Sequence, residues 1–415
     1  MRWVVPLLIL IVLVSGCVSD VDNARFESSS SSSTQETTPN AGNSEWKNPV
    51  VGGMNSFAIE LYKKLGENNG NVFFSPYSIE TALTIAYEGA RGATRDEMGN
   101  VLQLPGDNET RWKGFRGLIL SLESNESSPF VLRSANALWV QSGYPVREDY
   151  LRIAKEYYLA NASDLDFQGN PEGAADVIND WVKNRTGGRI RDIISRLSPD
   201  TRLVITNAVY FKANWSSRFE AVNTKNETFY SPSGPVVVQM MHQTAKFLYF
   251  ENDDLQAVEL PYEGNRLGML VILPREGRFE EVERQLNAEM ISEIVANMTD
   301  EMVAVSIPKF KLEEDYHLKE VLMEMGVKRA FTRPDFAGIS ELEDLVISDV
   351  IHKTYISVAE KGTEAAAATA VIMTLAAPPE NNLKVFRADR PFIFFIHDRE
   401  TGAILFMGRL MNPKE

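Results

Sequence analysis

From about residue 50 onward, apolar side chains recur along the chain with two different periods. In residues 54–65 and 78–88 they recur every three or four positions, which predicts two amphipathic helices. The second of these segments follows the Ser-Pro pair at 75–76, which is typical of a helix N-terminus. Short runs rich in β-branched and aromatic residues predict strands at 134–141, 203–212, 257–260, 267–273, 302–307, 392–397 and 403–410. The chain therefore mixes helices and strands, and no segment repeats at a fixed period.

The N-terminal segment has a pattern of its own. A basic residue at position 2 precedes an apolar run at 4–14, and small residues lead into Cys17. A run of this length is too short to span a membrane as a helix, and the arrangement resembles a prokaryotic lipoprotein signal. We expect residues 1–16 to be removed and Cys17 to carry a lipid that anchors the exported protein at the cell surface. The alternative for Cys17 is a buried structural cysteine.

Residues 17–47 are predicted to be a tether between that anchor and the folded part. They contain the serine run at 28–33 and then Thr, Pro, Asn and Gly, a composition that cannot bury enough apolar surface to fold. No second stretch of this kind follows. Residues 48–415 are therefore predicted to form a single large domain.

Composition excludes several classes of function. The 42 Lys and Arg residues against 57 Asp and Glu give a net charge of −15, which argues against a nucleic-acid partner. Cys17 is the only cysteine, so the folded part has no disulfide, cysteine-built zinc site or cysteine nucleophile. No metalloprotease, serine-hydrolase or nucleotide-binding motif occurs. We therefore expect no metal, no cofactor and no enzymatic activity.

A segment near the C-terminus has both helical and extended character. Four consecutive alanines at 365–368 favour a helix, but β-branched residues follow at 369–374 and a Pro-Pro pair stops any helix at 378. Small side chains at alternate positions would let an extended chain enter a buried sheet between existing strands, and these positions are Thr363, Ala365, Ala367 and Thr369. The segment is thus a candidate conformational switch.

Motifs spread over almost the whole chain resemble those of one known family, the serpins. In chain order they are NVFFSPYSI at 71–79, GARGAT at 89–94, NDWV at 179–182, TGGRI at 186–190, NAVYFKANW at 207–215, SDVIHK at 348–353, FRADRPF at 386–392 and GAILFMGR at 402–409. The resemblance implies a mixed α/β (α+β) fold of three β-sheets and about nine helices. It also implies an exposed reactive-centre loop at about 360–380.

The resemblance implies a suicide-substrate inhibitor of serine proteases. A protease attacks the loop and forms an acyl-enzyme, and the cleaved loop inserts into the central sheet. The implied hinge residues are Glu360, Gly362, Thr363, Glu364, Ala365, Ala366, Ala367, Ala368 and Thr369. Counting from Gly362 places the reactive bond between Ala376 and Ala377, whereas counting back from the prolines places it between Leu375 and Ala376. Both choices favour subtilisin-, chymotrypsin- or elastase-like proteases.

Further site residues are also carried over by motif. Ser75, Ser78, Asn207 and His352 match the shutter beneath the sheet, and Trp215 matches the breach where insertion begins. For His352 and Trp215 the alternatives are an ordinary core histidine and an ordinary core aromatic residue.

The charge pattern of the sequence also limits the expected partners. The charges around Arg111, Lys113 and Arg116 form no dense basic face, so activation by heparin-like polysaccharides is not expected. The protein is expected to be a monomer. Two other functions remain open, a non-inhibitory serpin and a lipid-anchored surface-binding protein whose alanine run is helical.

Overall fold

The computed structural model describes residues 48–124, 128–342, 345–363 and 383–414. The signal segment, the tether with Cys17, and residues 364–382 lie outside the described residues. The α-helices are α1 (Val51–Leu65), α2 (Pro76–Gly89), α3 (Gly92–Val101), α4 (Asn108–Leu122), α5 (Glu148–Tyr157), α6 (Pro171–Arg185), α7 (Phe279–Gln285), α8 (Ala288–Ala296), α9 (Lys319–Met325) and α10 (Arg329–Thr332).

Fifteen strands accompany these helices in the described parts of the chain. They are β1 (Val72–Phe74), β2 (Phe130–Gln141), β3 (Asn161–Leu165), β4 (Leu203–Asn214), β5 (Lys225–Ser231), β6 (Gly234–Glu251), β7 (Leu255–Pro261), β8 (Leu267–Pro274), β9 (Thr299–Pro308), β10 (Phe310–His317), β11 (Ile351–Ala359), β12 (Gly362–Thr363), β13 (Lys384–Arg387), β14 (Phe392–Asp398) and β15 (Ile404–Leu410). The predicted mixed α/β class is confirmed.

The strands form two hydrogen-bonded arrays. The larger has nine strands in the order β1-β15-β14-β8-β7-β6-β9-β13, with β5 paired to β6. The smaller has the order β10-β11-β12-β4-β2-β3, with an additional pairing of β11 to β4. Strand β6 pairs with β5 and β9 along most of its length and with β7 at its end. Because β6 is one continuous strand, it joins into one array strands that the expected three-sheet fold would divide between two sheets.

The smaller sheet is covered on both faces. One face of β4, including Val209 and Phe211, packs into the large core that contains α1 and α2. The other face, including Ala208 of β4 and Trp139 of β2, packs against α6 in a second core. Alternate side chains of a strand point to opposite faces, so β2 and β4 each supply both cores.

Helix α2 lies beneath this sheet and every residue of it is buried. Ser75 caps its N-terminus by accepting a hydrogen bond from the backbone N–H of Ser78 at 3.2 Å, and Pro76 occupies the first turn. The hydroxyls of Thr81 and Thr84 donate to backbone carbonyls one turn earlier, which satisfies them inside the core.

A buried ion pair ties α2 to α4 and to the end of α5. The Arg111 guanidinium donates to both carboxylate oxygens of Glu88, at 2.7 and 2.9 Å. The hydroxyl of Tyr158 donates to the same carboxylate at 2.6 Å. Because Glu88 accepts from both groups, its charge is fully partnered inside the core.

Candidate functional site

The first two hinge residues after Lys361 already lie inside the smaller sheet. Gly362 and Thr363 form β12, which pairs antiparallel with β11 on one side and with β4 on the other. On the β4 side, Gly362 is opposite Asn214 and Thr363 is opposite Ala213. The hinge thus enters the sheet between two strands that pair directly with each other further along.

Gly362 is required by its surroundings as well as by its backbone conformation. Its φ is +150°, and a Cβ placed there would lie 2.1 Å from the carbonyl oxygen of Ala213. A side chain would therefore collide with the backbone of the neighbouring strand. Only glycine lets the hinge approach β4 this closely.

Thr363 packs against an aromatic pair, Tyr262 and Trp215, through a contact with Tyr262. Its side chain is only 1% exposed, and its hydroxyl lies 2.7 Å from the hydroxyl of Tyr262. Burial raises the pKa of Tyr262 well above its usual value, so the phenol keeps its proton. The Tyr262 ring stacks on Trp215 with centroids 4.5 Å apart and an angle of 12° between the rings.

Trp215, the predicted breach residue, contacts the chain just before the hinge. Its indole N–H donates to the carbonyl of Ala359 at 2.9 Å, and its backbone N–H donates to the carbonyl of Lys361 at 2.8 Å. The carboxylate of Glu360 accepts from the Thr224 hydroxyl at 3.0 Å and lies 3.1 Å from Nζ of Lys309. These contacts fix the point at which the hinge enters the sheet.

The four predicted shutter residues come together beneath the junction of β4 and β11. His352 accepts a hydrogen bond at Nε2 from the backbone N–H of Ser75 at 3.0 Å, and its Nδ1 lies 3.2 Å from Oδ1 of Asn207. The side-chain amide of Asn207 donates to the carbonyl of Ser78 at 2.7 Å. These contacts fit a neutral His352 with its proton on Nδ1. Burial lowers the pKa of His352 to about 3, which keeps the ring neutral.

One member of this cluster was missed from the sequence. Asn207 also donates to Oδ1 of Asn136, on β2, at 2.7 Å. An asparagine between two alanines in the predicted strand 134–141 was the available signal, because a buried amide needs hydrogen-bond partners. Only the fold shows that its partner is Asn207.

A cavity of about 270 Å³ lies beyond the shutter, toward the start of β4 and β11. Its walls come from α2, β4, residues 194–201 and residues 345–351. Most of the lining is aliphatic, including Ala86, Ile205 and Ile347, and Asn207 is also part of its wall. The cavity and the shutter are therefore neighbours.

Several predicted site residues have no structural test here. Hinge positions Glu364 to Thr369, the candidate reactive-bond residues Leu375, Ala376 and Ala377, and Cys17 all lie outside the described residues. Across the parts of the chain that are described, no group of three or more His, Cys, Asp or Glu side chains could hold a metal ion. No helix in those parts is long and apolar enough to cross a membrane.

The sequence matches the profile of one family, described as "Serpin (serine protease inhibitor)", over residues 52–413. The chain is a serpin. An uncharacterized serpin-like protein of Thermococcus kodakarensis is 60% identical to it, over 100% of this chain and 99% of the relative. The leukocyte elastase inhibitor of Bos taurus is 38% identical, over 86% of this chain and 97% of that protein.

A solved structure agrees with the fold of this serpin. The thermophilic serpin tengpin in its native state matches with a TM-score of 0.80 and 30% identity, over 87% of this chain and 94% of that chain. The family is one of protease inhibitors, so at the level of the family this serpin is not an enzyme.

Proposed function

We propose that this serpin is an irreversible suicide-substrate inhibitor of serine proteases. The observation that carries the proposal is the position of β12, whose two residues are already paired between β11 and β4. A loop that has begun to enter the sheet needs no new entry point after cleavage. It has only to continue along the same gap.

Continuing the register of β12 gives the path of the inserted loop. On the β4 side each further residue would move one position toward Leu203, so Thr369 would reach Asn207. On the β11 side the same residue would reach His352. Asn207 and His352 are direct partners in the present sheet, so insertion has to separate them and break their hydrogen bond.

The same register predicts which side chains enter the core. Thr363 points inward, so alternate residues after it would also point inward. Val371 would then lie level with Ile205 and Met373 level with Leu203, both of which line the cavity. The cavity therefore provides space for the far end of the inserted segment.

The proposed chemistry is that of an interrupted hydrolysis. The protease serine Oγ attacks the carbonyl carbon of Ala376, the bond to the nitrogen of Ala377 breaks, and that nitrogen takes up a proton. An ester now joins the protease to Ala376. About fifteen inserted residues at 3.3 Å each would carry the protease on the order of 50 Å, which distorts its active site before water attacks the ester.

The composition of the loop supports a class of target. No Lys or Arg occurs from Gly362 to Ala377, and both candidates for the residue that enters the specificity pocket are aliphatic. This favours subtilisin-, chymotrypsin- or elastase-like proteases over trypsin-like ones. The name of the bovine relative, an inhibitor of leukocyte elastase, agrees with that class.

The test is incubation with subtilisin, chymotrypsin, elastase and trypsin at equal concentrations. We expect an adduct that survives SDS with at least one of the first three, together with a released C-terminal peptide that begins at Ala377. A peptide that begins at Ala376 would move the reactive bond by one residue and leave the mechanism intact. Cleavage of the loop by all four proteases without any adduct would contradict the proposal and support a non-inhibitory serpin.

We also propose that this serpin acts at the cell surface as a monomer, anchored by a lipid on Cys17. The support for the anchor is the sequence pattern at residues 1–17. Expression of the full chain in a lipoprotein-processing host should give a membrane-bound form with a lipid mass on Cys17. Cys17→Ser should lose that mass, and an unmodified Cys17 in the native host would contradict the proposal.

A further inference from the structure

We propose that the cavity between α2, β4 and residues 345–351 binds a small amphipathic anion, of the class of straight-chain carboxylates with about eight carbons. We infer further that a bound carboxylate blocks insertion of the loop and turns the inhibitor into a substrate. This second part rests on the proposed function, whereas the binding site does not.

The size and lining of the cavity fit an alkyl chain. An apolar cavity of about 150 Å³ holds benzene, with its six heavy atoms. The 270 Å³ found here would by the same proportion hold roughly eleven, close to the ten of octanoate. Aliphatic side chains from α2 and β4, among them Leu83, Ala86 and Ile205, supply an apolar interior.

The charges at the edge of the cavity favour an anionic headgroup. Arg196 lines the cavity, is exposed, and forms no ion pair with any residue that the structure describes. Asp349 is the acidic residue in the lining, and its carboxylate is engaged by Nδ1 of His317 at 2.5 Å and by the backbone N–H of Val350 at 2.7 Å. The guanidinium is therefore the charged group that is free to receive a carboxylate.

Occupation of the cavity would compete with the loop. The extended register of β12 brings Val371 and Met373 to the strand residues that line this space. An alkyl chain already present would occupy the volume that these side chains need. Insertion would stall near the shutter, and water would then have time to hydrolyse the acyl-enzyme.

Calorimetric titration of the full chain with butyrate, hexanoate, octanoate and dodecanoate, each below its micelle concentration, tests the site. We expect affinity to rise about fourfold for each added methylene up to octanoate, and to stop rising at dodecanoate, which exceeds the cavity. Octan-1-ol should bind more weakly than octanoate. Affinity that keeps rising through dodecanoate, or an absence of binding, would overturn the proposal.

Two variants and a matched control test which residues form the site. Arg196→Gln should weaken octanoate binding at least fivefold, whereas Arg152→Gln, at an exposed arginine on α5, should leave it unchanged. Ala86→Leu should abolish binding by filling the cavity, and circular dichroism shows whether this variant is folded. Equal affinity for octanoate in the wild type and in Arg196→Gln would contradict the assignment of the headgroup even if Ala86→Leu fails to fold.

The inhibition assay tests whether bound octanoate blocks loop insertion. With a protease that forms the SDS-stable adduct, saturating octanoate should lower the adduct yield at least threefold and increase cleaved serpin correspondingly, while butyrate at the same concentration should have no effect. Octanoate that binds without changing the adduct yield would overturn the blocking role. If no protease forms an adduct even without octanoate, the proposed function fails, and calorimetry still decides the binding site.

Discussion

At the scale of single residues, the candidate site depends on positions that accept only one kind of side chain. Gly362 sits against the Ala213 carbonyl, and Thr363 places its hydroxyl on Tyr262. Elsewhere under the same sheet, Glu80 of α2 is fully buried, and neither of its carboxylate oxygens has a hydrogen-bond partner among the described residues. These residues act in opposite ways, because the first two stabilise the entry of the hinge and the third weakens the native state.

Gly362→Ala should prevent the hinge from remaining in the sheet. Its Cβ would lie 2.1 Å from the Ala213 oxygen at a φ of +150°, so β12 would have to withdraw. We expect at least a tenfold lower yield of protease adduct on an SDS gel. Gly234→Ala is the matched control, since Gly234 has a φ of +120° but no atom within 4 Å of the added Cβ. Equal adduct yields for the two variants would show that strand contact at Gly362 is unimportant.

Glu80→Gln should change how stability depends on pH. Burial raises the pKa of Glu80 well above 4.5, so the folded state keeps a proton that the unfolded chain releases above that pH. The free energy of unfolding should therefore fall as pH rises through 4.5, by up to about 1.4 kcal/mol per pH unit until the folded pKa is reached.

The measurement for Glu80 is urea denaturation of wild type and variant between pH 4 and 8. The difference in unfolding free energy between the two proteins should grow with pH in favour of Glu80→Gln. A difference that stays constant across this range would mean that Glu80 finds a partner in solution and titrates normally.

At the scale of elements, strand β12 and the buried ion pair fix different parts of the molecule. Strand β12 keeps one end of the gap between β4 and β11 open, while Asn207 and His352 close it further along. Glu88 and Arg111 hold α4 against α2, away from this gap. Changes in the first group should alter inhibition, and changes in the second should alter stability.

Thr363→Arg should convert the inhibitor into a substrate. A charged side chain cannot occupy the buried site beside Tyr262 without losing its hydration, so insertion would be slowed at its first step. Cleaved serpin should replace the SDS-stable adduct as the main product. Thr363→Val keeps the shape and loses only one hydrogen bond, worth about 1 kcal/mol, so it should keep most of the adduct. A wild-type adduct yield for Thr363→Arg would contradict the insertion mechanism.

Arg111→Met should destabilise the fold strongly, because it leaves the Glu88 carboxylate buried without its charged partner. Loss of one partner of a buried pair costs about 3–5 kcal/mol. The double variant Arg111→Met with Glu88→Gln should recover part of that loss in urea denaturation. Lys113→Met, on the same helix but at an exposed ion pair with Glu109, should have little effect. Additive losses in the double variant would rule out coupling between Arg111 and Glu88.

At the scale of the whole molecule, the smaller sheet is incomplete. Beyond β12, β4 and β11 pair directly only at Asn207–His352 and Ala208–Lys353, and the cavity lies past these pairs. A further strand in this gap would gain hydrogen bonds on both sides and fill the cavity. The native arrangement is therefore expected to be less stable than the form with an inserted loop.

Cleavage of the loop should raise thermal stability. At a net of about 1 kcal/mol for each of some twenty new hydrogen bonds, less the entropy of ordering the loop, insertion should release on the order of 10 kcal/mol. The unfolding temperature should rise by on the order of 20 °C. Differential scanning calorimetry before and after cleavage by a protease that forms no adduct measures this. An unchanged unfolding temperature would favour the non-inhibitory alternative.

The sequence by itself determined the class of fold, the family and the position of two helices and seven strands, α1, α2, β2, β4, β7, β8, β9, β14 and β15. Helix α2 and strands such as β8 and β14 were predictable because burial of one or both faces imposes a local apolar pattern. Strand β11 was not predicted, since two of the four side chains on its buried face, His352 and Thr354, are polar and hide the apolar period.

Only the tertiary structure decided how the site is assembled. The pairing of Gly362 with Asn214, the addition of Asn136 to the shutter and the cavity beyond it all join residues far apart in the chain. A local sequence pattern indicates which residues are buried and which are exposed. Strand register and the cavities between elements depend on the packing of all the elements together. For this reason the motifs identified a serpin, and only the packed sheet showed where its hinge enters, between β11 and β4.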